Sequence, residues 1–528
     1  MLKRFGFSVL SGVLLGLSWV EITNFFPLVF VALVPFLWLE NQILQQKLSS
    51  AKVYVHAFVV FSLFNIITTW WIYHATLLGA LMAFFFSAIL VAFPFWLFHL
   101  TRKHIGNKEG YIAFVINILA FEWLDYNWAL SHPWLPFGNA FASSPNMVQW
   151  YEFTGVSGGS LWVILVNLIV YFGIVTWKNN HTFSSVKKHF ALLLVCLFLP
   201  MLISYFIGRN VDLGENNETL EIVLSQPNVD PYQKFGGEEL ALKQTTQMLG
   251  ITRSVMTDDT RLIITPETAL SSSLEESMMI HSDEVGIIQE FLSEFPKAKV
   301  LTGASTHAFF EEENSMASRK LQYGGFWEAY NSTVLVDTSK NIETYHKMKL
   351  VLGVETLPFQ FITKPLESLF DLGGTSGTLG TELAPKNFEV ENIEIAPTIC
   401  YESIYGEFIG KFCGKGAGII AVSTNDAWWY DTPGYKQLLA YTQLRAIENR
   451  KWIARSANTG ISCFINPKGE ITKKTKWEET TAIAMKVPVM KGITFYARNG
   501  DFISRIALFI SPLLILLTFV RRFKNREV

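Results

Sequence analysis

Charge is what this chain is short of. Only 17% of its 528 residues are Asp, Glu, Lys or Arg, whereas a soluble globular protein carries about 25%. Too few ionised groups are present to cover the surface of a protein this long in water. That shortfall excludes a disordered chain, a coiled coil and an ordinary cytosolic enzyme. The charge that is present has no sign bias, since 43 Lys and Arg against 45 Asp and Glu leave a formal net charge of -2. Without a clustered basic excess there is no reason to expect a nucleic-acid partner. Four cysteines are too few for a disulfide scaffold, no His/Cys spacing suggests a metal site, and no internal repeat or low-complexity tract appears. Apolar residues fill the space: 50% of the chain is hydrophobic and 14% aromatic, with a mean hydropathy of +0.27.

These residues are concentrated. Seven apolar stretches fall at about 5–20, 25–39, 53–72, 75–100, 111–126, 160–177 and 189–208, and an eighth at about 502–520. Most approach the ~20 residues that a helix needs to cross a bilayer. The first two are short and joined only by Glu21-Ile22-Thr23-Asn24, so a re-entrant hairpin remains open for them. The first, behind Lys3 and Arg4, also has the outline of a signal peptide, but further apolar segments follow at once without a small-residue cleavage site. Lys and Arg mark alternate loops: Lys3 and Arg4, then Lys47 and Lys52, then Arg102, Lys103 and Lys108, then Lys178, Lys187 and Lys188, and finally Arg521, Arg522, Lys524 and Arg526. The loops between carry none. By the positive-inside rule this pattern predicts eight spans with both ends cytoplasmic. Residues 1–208 then form a seven-helix transmembrane bundle, 209–501 an extracytoplasmic domain, and 502–528 a closing helix with a cytoplasmic tail.

The stretch 209–501 is polar, and short β-branched runs such as Leu220-Glu221-Ile222-Val223-Leu224, Leu262-Ile263-Ile264 and Gly418-Ile419-Ile420-Ala421-Val422 alternate in it with helix-like segments. Such alternation predicts an α/β domain around a buried sheet. In open α/β sheets, working residues gather just past the carboxyl ends of strands. Three segments have that placement: Thr265-Pro266-Glu267-Thr268, Tyr345-His346-Lys347-Met348 and Thr398-Ile399-Cys400-Tyr401-Glu402. A thiol attacks as thiolate, and an ordinary Cys has a pKa of ~8.5, so it needs a base or a cation close by. A carboxylate can accept the proton and an ammonium can stabilise an oxyanion. Glu267, Lys347 and Cys400 together make a self-consistent acyl-transfer site. Taken singly, each also fits a plain role: a core cysteine, a capping glutamate, a surface lysine.

The order Thr-Pro-Glu-Thr, Tyr-x-Lys, Ile-Cys-Tyr-Glu resembles the nitrilase superfamily of carbon–nitrogen hydrolases. Joined to a membrane bundle, it resembles the apolipoprotein N-acyltransferase family. Further matching segments are Ser225-Gln226-Pro227-Asn228, Ser423-Thr424-Asn425-Asp426-Ala427-Trp428 and Ala457-Asn458-Thr459-Gly460. The resemblance implies an αββα sandwich, Cys400 as nucleophile, Glu267 as general base and Lys347 as the cation facing the tetrahedral intermediate. It also implies supporting roles for Glu355 and Glu402, the latter equally readable as a buttress of the turn. The implied reaction is a ping-pong transfer, without cofactor or metal. An acyl chain passes from a membrane phospholipid, phosphatidylethanolamine being the expected donor, through a cysteine thioester to the N-terminal amine of a diacylglyceryl-modified apolipoprotein. The implied location is the bacterial inner membrane, with the catalytic domain periplasmic. A membrane-tethered amidase or hydrolase is the alternative, and a transporter or scaffold with a dead catalytic domain a more distant one. In that compartment the sequons at Asn217 and Asn331 carry no sugar.

The chain also departs from the family pattern. It reads Leu350-Val351-Leu352-Gly353-Val354-Glu355, lacking the usual proline and with glycine one place earlier; Phe235 stands where tryptophan is common, and Trp429 follows Trp428 where phenylalanine is usual. Phe235 and Trp428 are thereby candidate substrate contacts on loops at the site's mouth. The aromatic stretch 127–159 has the composition of an interfacial belt, or of plain packing between bundle and domain. Glu122 and Asp125 are the main charges near the end of an apolar segment, Cys196 reads as packing, and a bond between Cys413 and Cys463 stays open.

Overall fold

The computed structural model describes residues 2–231, 236–364 and 378–524. Phe235 lies outside the described residues. The chain divides into two compact units, one of Met1–Asn210 with Asn499–Val528 and the other of Val211–Arg498.

The first unit is helical. Six of its segments are long and apolar enough to cross a membrane: Phe26–Gln45, Ala51–His74, Leu77–His104, Tyr151–Asn180, Phe183–Arg209 and Phe495–Lys524. Eight were expected. The two shortfalls have separate causes. Helix Leu2–Leu17 has 16 residues, about 24 Å at 1.5 Å per residue, less than the ~30 Å of a hydrocarbon core. Helix Asn107–Asn127 has 21 residues, but Lys108, Glu109, Glu122 and Asp125 interrupt its apolar surface. Buried polar side chains tie this unit together. The Asn167 amide donates to the Val29 carbonyl at 2.8 Å and accepts from the Leu33 N–H at 2.8 Å. Glu40 receives His99 Nδ1 at 2.7 Å and, on its other oxygen, Arg102. Trp134, Phe137 and Tyr151 are buried, and Trp134 packs on Trp71 with ring centroids 5.0 Å apart. Those three aromatics of the 127–159 stretch are packed inside the protein. Phe153 remains exposed.

The second unit is built on two sheets. Its strands are β1 (Thr219–Gln226), β2 (Thr260–Ile264), β3 (Leu270–Glu275), β4 (Lys299–Phe310), β5 (Arg319–Lys320), β6 (Phe326–Val336), β7 (Glu343–His346), β8 (Phe388–Val390), β9 (Ile393–Ile399), β10 (Ile419–Thr424), β11 (Trp452–Ala457), β12 (Cys463–Ile465), β13 (Ile471–Lys474) and β14 (Thr481–Pro488). One sheet runs β14-β1-β2-β4-β6-β5, with β3 on β4 and β7 on β6; the other runs β13-β12-β11-β10-β9-β8. β1, β2 and β4 are mutually parallel, as are β9, β10 and β11. Strands buried on both faces read as near-continuous apolar runs, and β10 and β11 are buried at each position. Leu249, Val285, Ile288 and Leu292 of two helices, Glu238–Arg253 and Asp283–Glu294, close over Val223, Ile263, Val300 and Val334 of the first sheet. Helices Gly406–Gly414 and Pro433–Asn449 pack together beside the second. Between the sheets, the Ser423 hydroxyl donates to the Thr265 carbonyl at 2.8 Å and Ser456 to the Ser225 carbonyl at 2.7 Å. The result is a helix–sheet–sheet–helix sandwich with the carboxyl ends of β2, β9, β10 and β11 gathered at one edge.

Candidate active site

Three strand ends deliver three reactive groups. β9 stops at Ile399, and Cys400 opens the short helical turn Cys400–Ile404 with φ 47°. A residue with a Cβ is strained in that left-handed region, so the turn must be held. The Ser403 hydroxyl donates to the Cys400 carbonyl at 2.7 Å, and Glu402 Oε2 accepts the Ile399 N–H at 2.8 Å. Glu402 Oε1 accepts the Met348 N–H at 2.7 Å, the Lys349 N–H at 3.3 Å and the Tyr345 hydroxyl at 2.8 Å. Fully buried, Glu402 thus pins the turn bearing Cys400 to the segment bearing Lys347. Burial pushes its carboxyl up to about 7, with the Ile399 and Met348 N–H groups pulling against it. These contacts favour the buttressing role.

Glu267 follows β2, Lys347 follows β7, and both are buried beside Cys400. Lys347 Nζ donates to Glu267 Oε1 at 3.1 Å and to Glu355 Oε1 at 2.9 Å. The Asn331 amide donates to the same two oxygens, each at 2.8 Å, and the Asn425 N–H donates to Glu267 Oε2 at 3.1 Å. The Cys400 thiol hydrogen-bonds to Glu267. Glu355 arrives through a tight loop: Gly353, at φ 79°, donates its N–H to the Thr356 carbonyl at 2.8 Å, and Glu355 Oε2 accepts the Val351 N–H at 2.8 Å. The altered Leu352-Gly353-Val354 segment therefore still returns the carboxylate to the lysine. Glycine is required here for the positive φ, since a Cβ would meet no neighbour.

The electrostatics follow from this packing. Burial would raise the Glu267 carboxyl, but the Lys347 charge and the Asn331 amide outweigh it and hold it below the ordinary carboxylate range. Burial would depress the Lys347 ammonium, but Glu267 and Glu355 outweigh it and hold it well above its usual value. Burial, followed by the charge of Glu267, pushes the Cys400 thiol well up against the opposing pull of Lys347. At rest the site is an ammonium between two carboxylates beside a neutral thiol. Moving the thiol proton to Glu267 leaves the total charge of the buried group unchanged, so no net charge has to be created in the dry interior.

The match to known families covers most of the chain. Residues 11–169 match the model for the apolipoprotein N-acyltransferase N-terminal domain and residues 231–489 the model for carbon–nitrogen hydrolases. The apolipoprotein N-acyltransferase of Chlorobaculum tepidum is 28% identical over 98% of this chain and 97% of its own length. Those of Rickettsia prowazekii and Aquifex aeolicus are each 28% identical, covering 85% and 74% of this chain and 82% and 85% of their own lengths. The chain thus matches the apolipoprotein N-acyltransferases over almost its whole length.

Several residues of the site carry no signal of their own in the sequence. Asn331 was visible only as a sequon, and as one of three consecutive polar residues, Asn331-Ser332-Thr333, in β6 it had no signal of its own. Asn425 lay inside a segment noted only for its match. Asp426 and Arg455 form a buried pair in which Arg455 Nη2 reaches both carboxylate oxygens at 2.9 Å. A Cβ on Gly460 would sit 1.9 Å from Asp426 Oδ2, so only glycine fits beside that pair. Trp428 lies half-buried on the turn Asp426–Trp429, three residues beyond the Asn425 N–H bonded to Glu267. Cys413 and Cys463 are buried free thiols, so the open question of their pairing resolves to no bond, and Cys196 is free as well.

Proposed function

We propose that Cys400 carries the acyl group in a two-step transfer from a phospholipid to the N-terminal amine of a diacylglyceryl-cysteine lipoprotein. The observation that carries this reading is the buried Glu267–Lys347–Cys400 cluster, with Glu355 and Asn331 sharing its charges, in a chain that also has membrane-length helices.

In the first step Glu267 accepts the thiol proton as the sulfur attacks the ester carbonyl. The oxygen of the tetrahedral adduct gains negative charge facing Lys347 Nζ, which stabilises it. Collapse breaks the ester C–O bond, Glu267 returns the proton to the departing oxygen, and a lysophospholipid leaves a thioester behind. In the second step the lipoprotein amine attacks the thioester, Glu267 accepts an amine proton, and the C–S bond breaks to give an amide and the thiol again. Glu355 keeps Lys347 charged while Glu267 is neutral. Two steps let one site serve two bulky substrates in turn. Extracting an acyl chain into water costs ~0.8 kcal/mol per CH₂, so both substrates stay in the bilayer. Eight crossings, counting helices Leu2–Leu17 and Asn107–Asn127, would place both termini in the cytoplasm and the α/β unit in the periplasm, in keeping with the loop charges.

The test is to incubate the purified protein with acyl-labelled phosphatidylethanolamine. Hydroxylamine-labile label should appear on Cys400 and then move to the amine of a diacylglyceryl-cysteine peptide. Label released as free fatty acid, with none on the peptide, would favour the tethered hydrolase. Absence of label on Cys400 would overturn both. Cys400→Ser should fold normally and lose turnover, because a hydroxyl is a far weaker nucleophile beside this carboxylate.

A further inference from the structure

Helix Asn107–Asn127 carries Glu122 and Asp125 on one face, three residues apart. Both border a cleft within the helical unit that encloses about 50 Å³ and opens to its surroundings, and whose walls are otherwise largely apolar and include Phe61, Phe64 and Phe95. The enclosed space has room for a few water-sized groups, the size of a small polar head rather than of a whole ligand. His132 also lines the cleft; no Lys or Arg does. Glu122 is only 9% exposed. Its carboxylate accepts the Phe137 N–H on Oε1 at 2.9 Å and a hydrogen bond from the Ser160 hydroxyl, while Oε2 has no partner within hydrogen-bond distance among the described residues. Asp125 Oδ1 accepts the His132 N–H at 3.2 Å and the Trp128 indole N–H at 3.3 Å.

A carboxylate oxygen buried in a bundle without a donor is costly, and ionisable groups at such positions mark ligand sites. The missing partner must donate a hydrogen bond, should be cationic, and must arrive attached to something apolar. We propose that this cleft binds the primary ammonium group of a lipid, with Glu122 Oε2 as its acceptor, Asp125 as the second negative charge and the phenylalanines against the chain. The choice of lipids rests on the acyl-transfer reading, which supplies two carriers of this chemistry: the head group of phosphatidylethanolamine, and the α-ammonium of a diacylglyceryl-cysteine. A quaternary ammonium has no N–H to donate, and an anionic head group meets only carboxylates and an imidazole.

The experiment uses full-length protein with Cys400→Ala, so that nothing is turned over, and counts retained lipids by native mass spectrometry. Phosphatidylethanolamine is compared with phosphatidylcholine and phosphatidylglycerol, and a diacylglyceryl-cysteine peptide with its N-acetylated form. Primary amines should be retained at least about tenfold better than their quaternary or acylated counterparts, as expected for one charged hydrogen bond. Glu122→Gln should abolish that preference while still accepting from the Phe137 N–H. Selectivity confined to phosphatidylethanolamine would assign the cleft to the donor, and selectivity confined to the free-amine peptide would assign it to the acceptor. Equal retention of amine and non-amine lipids, or a preference unchanged in both Glu122→Gln and Asp125→Asn, overturns the proposal. Loss of ammonium selectivity sinks this site alone. Missing label on Cys400 in the parent protein sinks the transfer reading alone.

Discussion

Around Cys400, carboxylates drawn into the α/β unit are matched by donors close at hand: Glu267 and Glu355 share Lys347 and Asn331, Asp426 holds Arg455, and Glu402 takes Tyr345 and three backbone N–H groups. In the helical unit Glu40 is matched by Arg102 and His99, whereas Glu122 keeps one oxygen open. Backbone chemistry explains the contrast. Strand ends and tight turns leave N–H groups free to face a carboxylate, and Asn425, Met348, Lys349 and Ile399 use them that way. Membrane helices consume their N–H groups internally, so a buried carboxylate there meets fewer backbone donors: Glu122 and Asp125 each reach one, the Phe137 and His132 N–H groups of the irregular segment after their helix.

The comparison can be broken at its most heavily matched point. Lys347→Met leaves two carboxylates facing each other with no cation for the oxyanion, and should lower kcat/KM by about 10³ or more, read by transfer of labelled acyl chain. Activity within tenfold of wild type would remove Lys347 from the chemistry. Next, Arg455→Met strands the buried Asp426 charge and should cost about 3–5 kcal/mol, seen as a lower unfolding midpoint of the α/β unit.

A smaller effect is expected at Asn331. Asn331→Ala removes one charged hydrogen bond each from Glu267 and Glu355, and should lower activity by about 10- to 100-fold. It also has a pH signature. Asn331 favours the charged form of Glu267, so its loss raises that pKa, and the acid limb of the kcat/KM profile should move to higher pH. An unmoved acid limb would mean that Glu267 is not the base. The stability linkage runs the same way. A carboxylate held below its unfolded value of about 4.3 stabilises the fold above that pH, and the contribution is lost as pH falls through the folded value.

In the helical unit Glu40→Gln should cost less than Arg455→Met, about 1–2 kcal/mol, because Arg102 retains Asn41 at 2.7 Å and Asn107 at 2.8 Å. Equal losses at the two pairs would erase the contrast between the units. Smallest of all, Trp429→Phe restores the residue usual in the family at a half-buried turn position and should change kcat/KM by no more than about twofold.

Glu267, Lys347 and Cys400 were legible in the sequence because Glu267 and Cys400 follow apolar β-branched runs and Lys347 a strand-like segment, and strand ends are where an α/β sheet exposes side chains. Asn331 was not, since a lone Asn within a strand looks the same whether it faces a pocket or a neighbouring sheet. The path of Glu355 back to Lys347 depends on the turn at Gly353, which spacing alone does not reveal. The count of eight crossings drew on apolar length and loop charge, and helix Asn107–Asn127 falls short because its charges serve the cleft and the helix ends. For the aromatics of 127–159, composition is the same for an interfacial belt and a packed core; burial separates the two at Trp134, Phe137 and Tyr151.

By itself the sequence determined that this protein has two unlike parts, one short of charge and one rich in it, and that a carboxylate, an ammonium and a thiol stand at three strand ends. Hydrophobic patterning and strand propensity are local properties, so they can be read residue by residue. Only the tertiary structure decided that groups from 267 to 425 converge on one buried cluster, that Asn331 and Glu355 join them, and that Glu122 faces a cleft with an oxygen to spare. Charge balance in a buried site is set by what lies across the fold, and that distance is not written in the order of the residues.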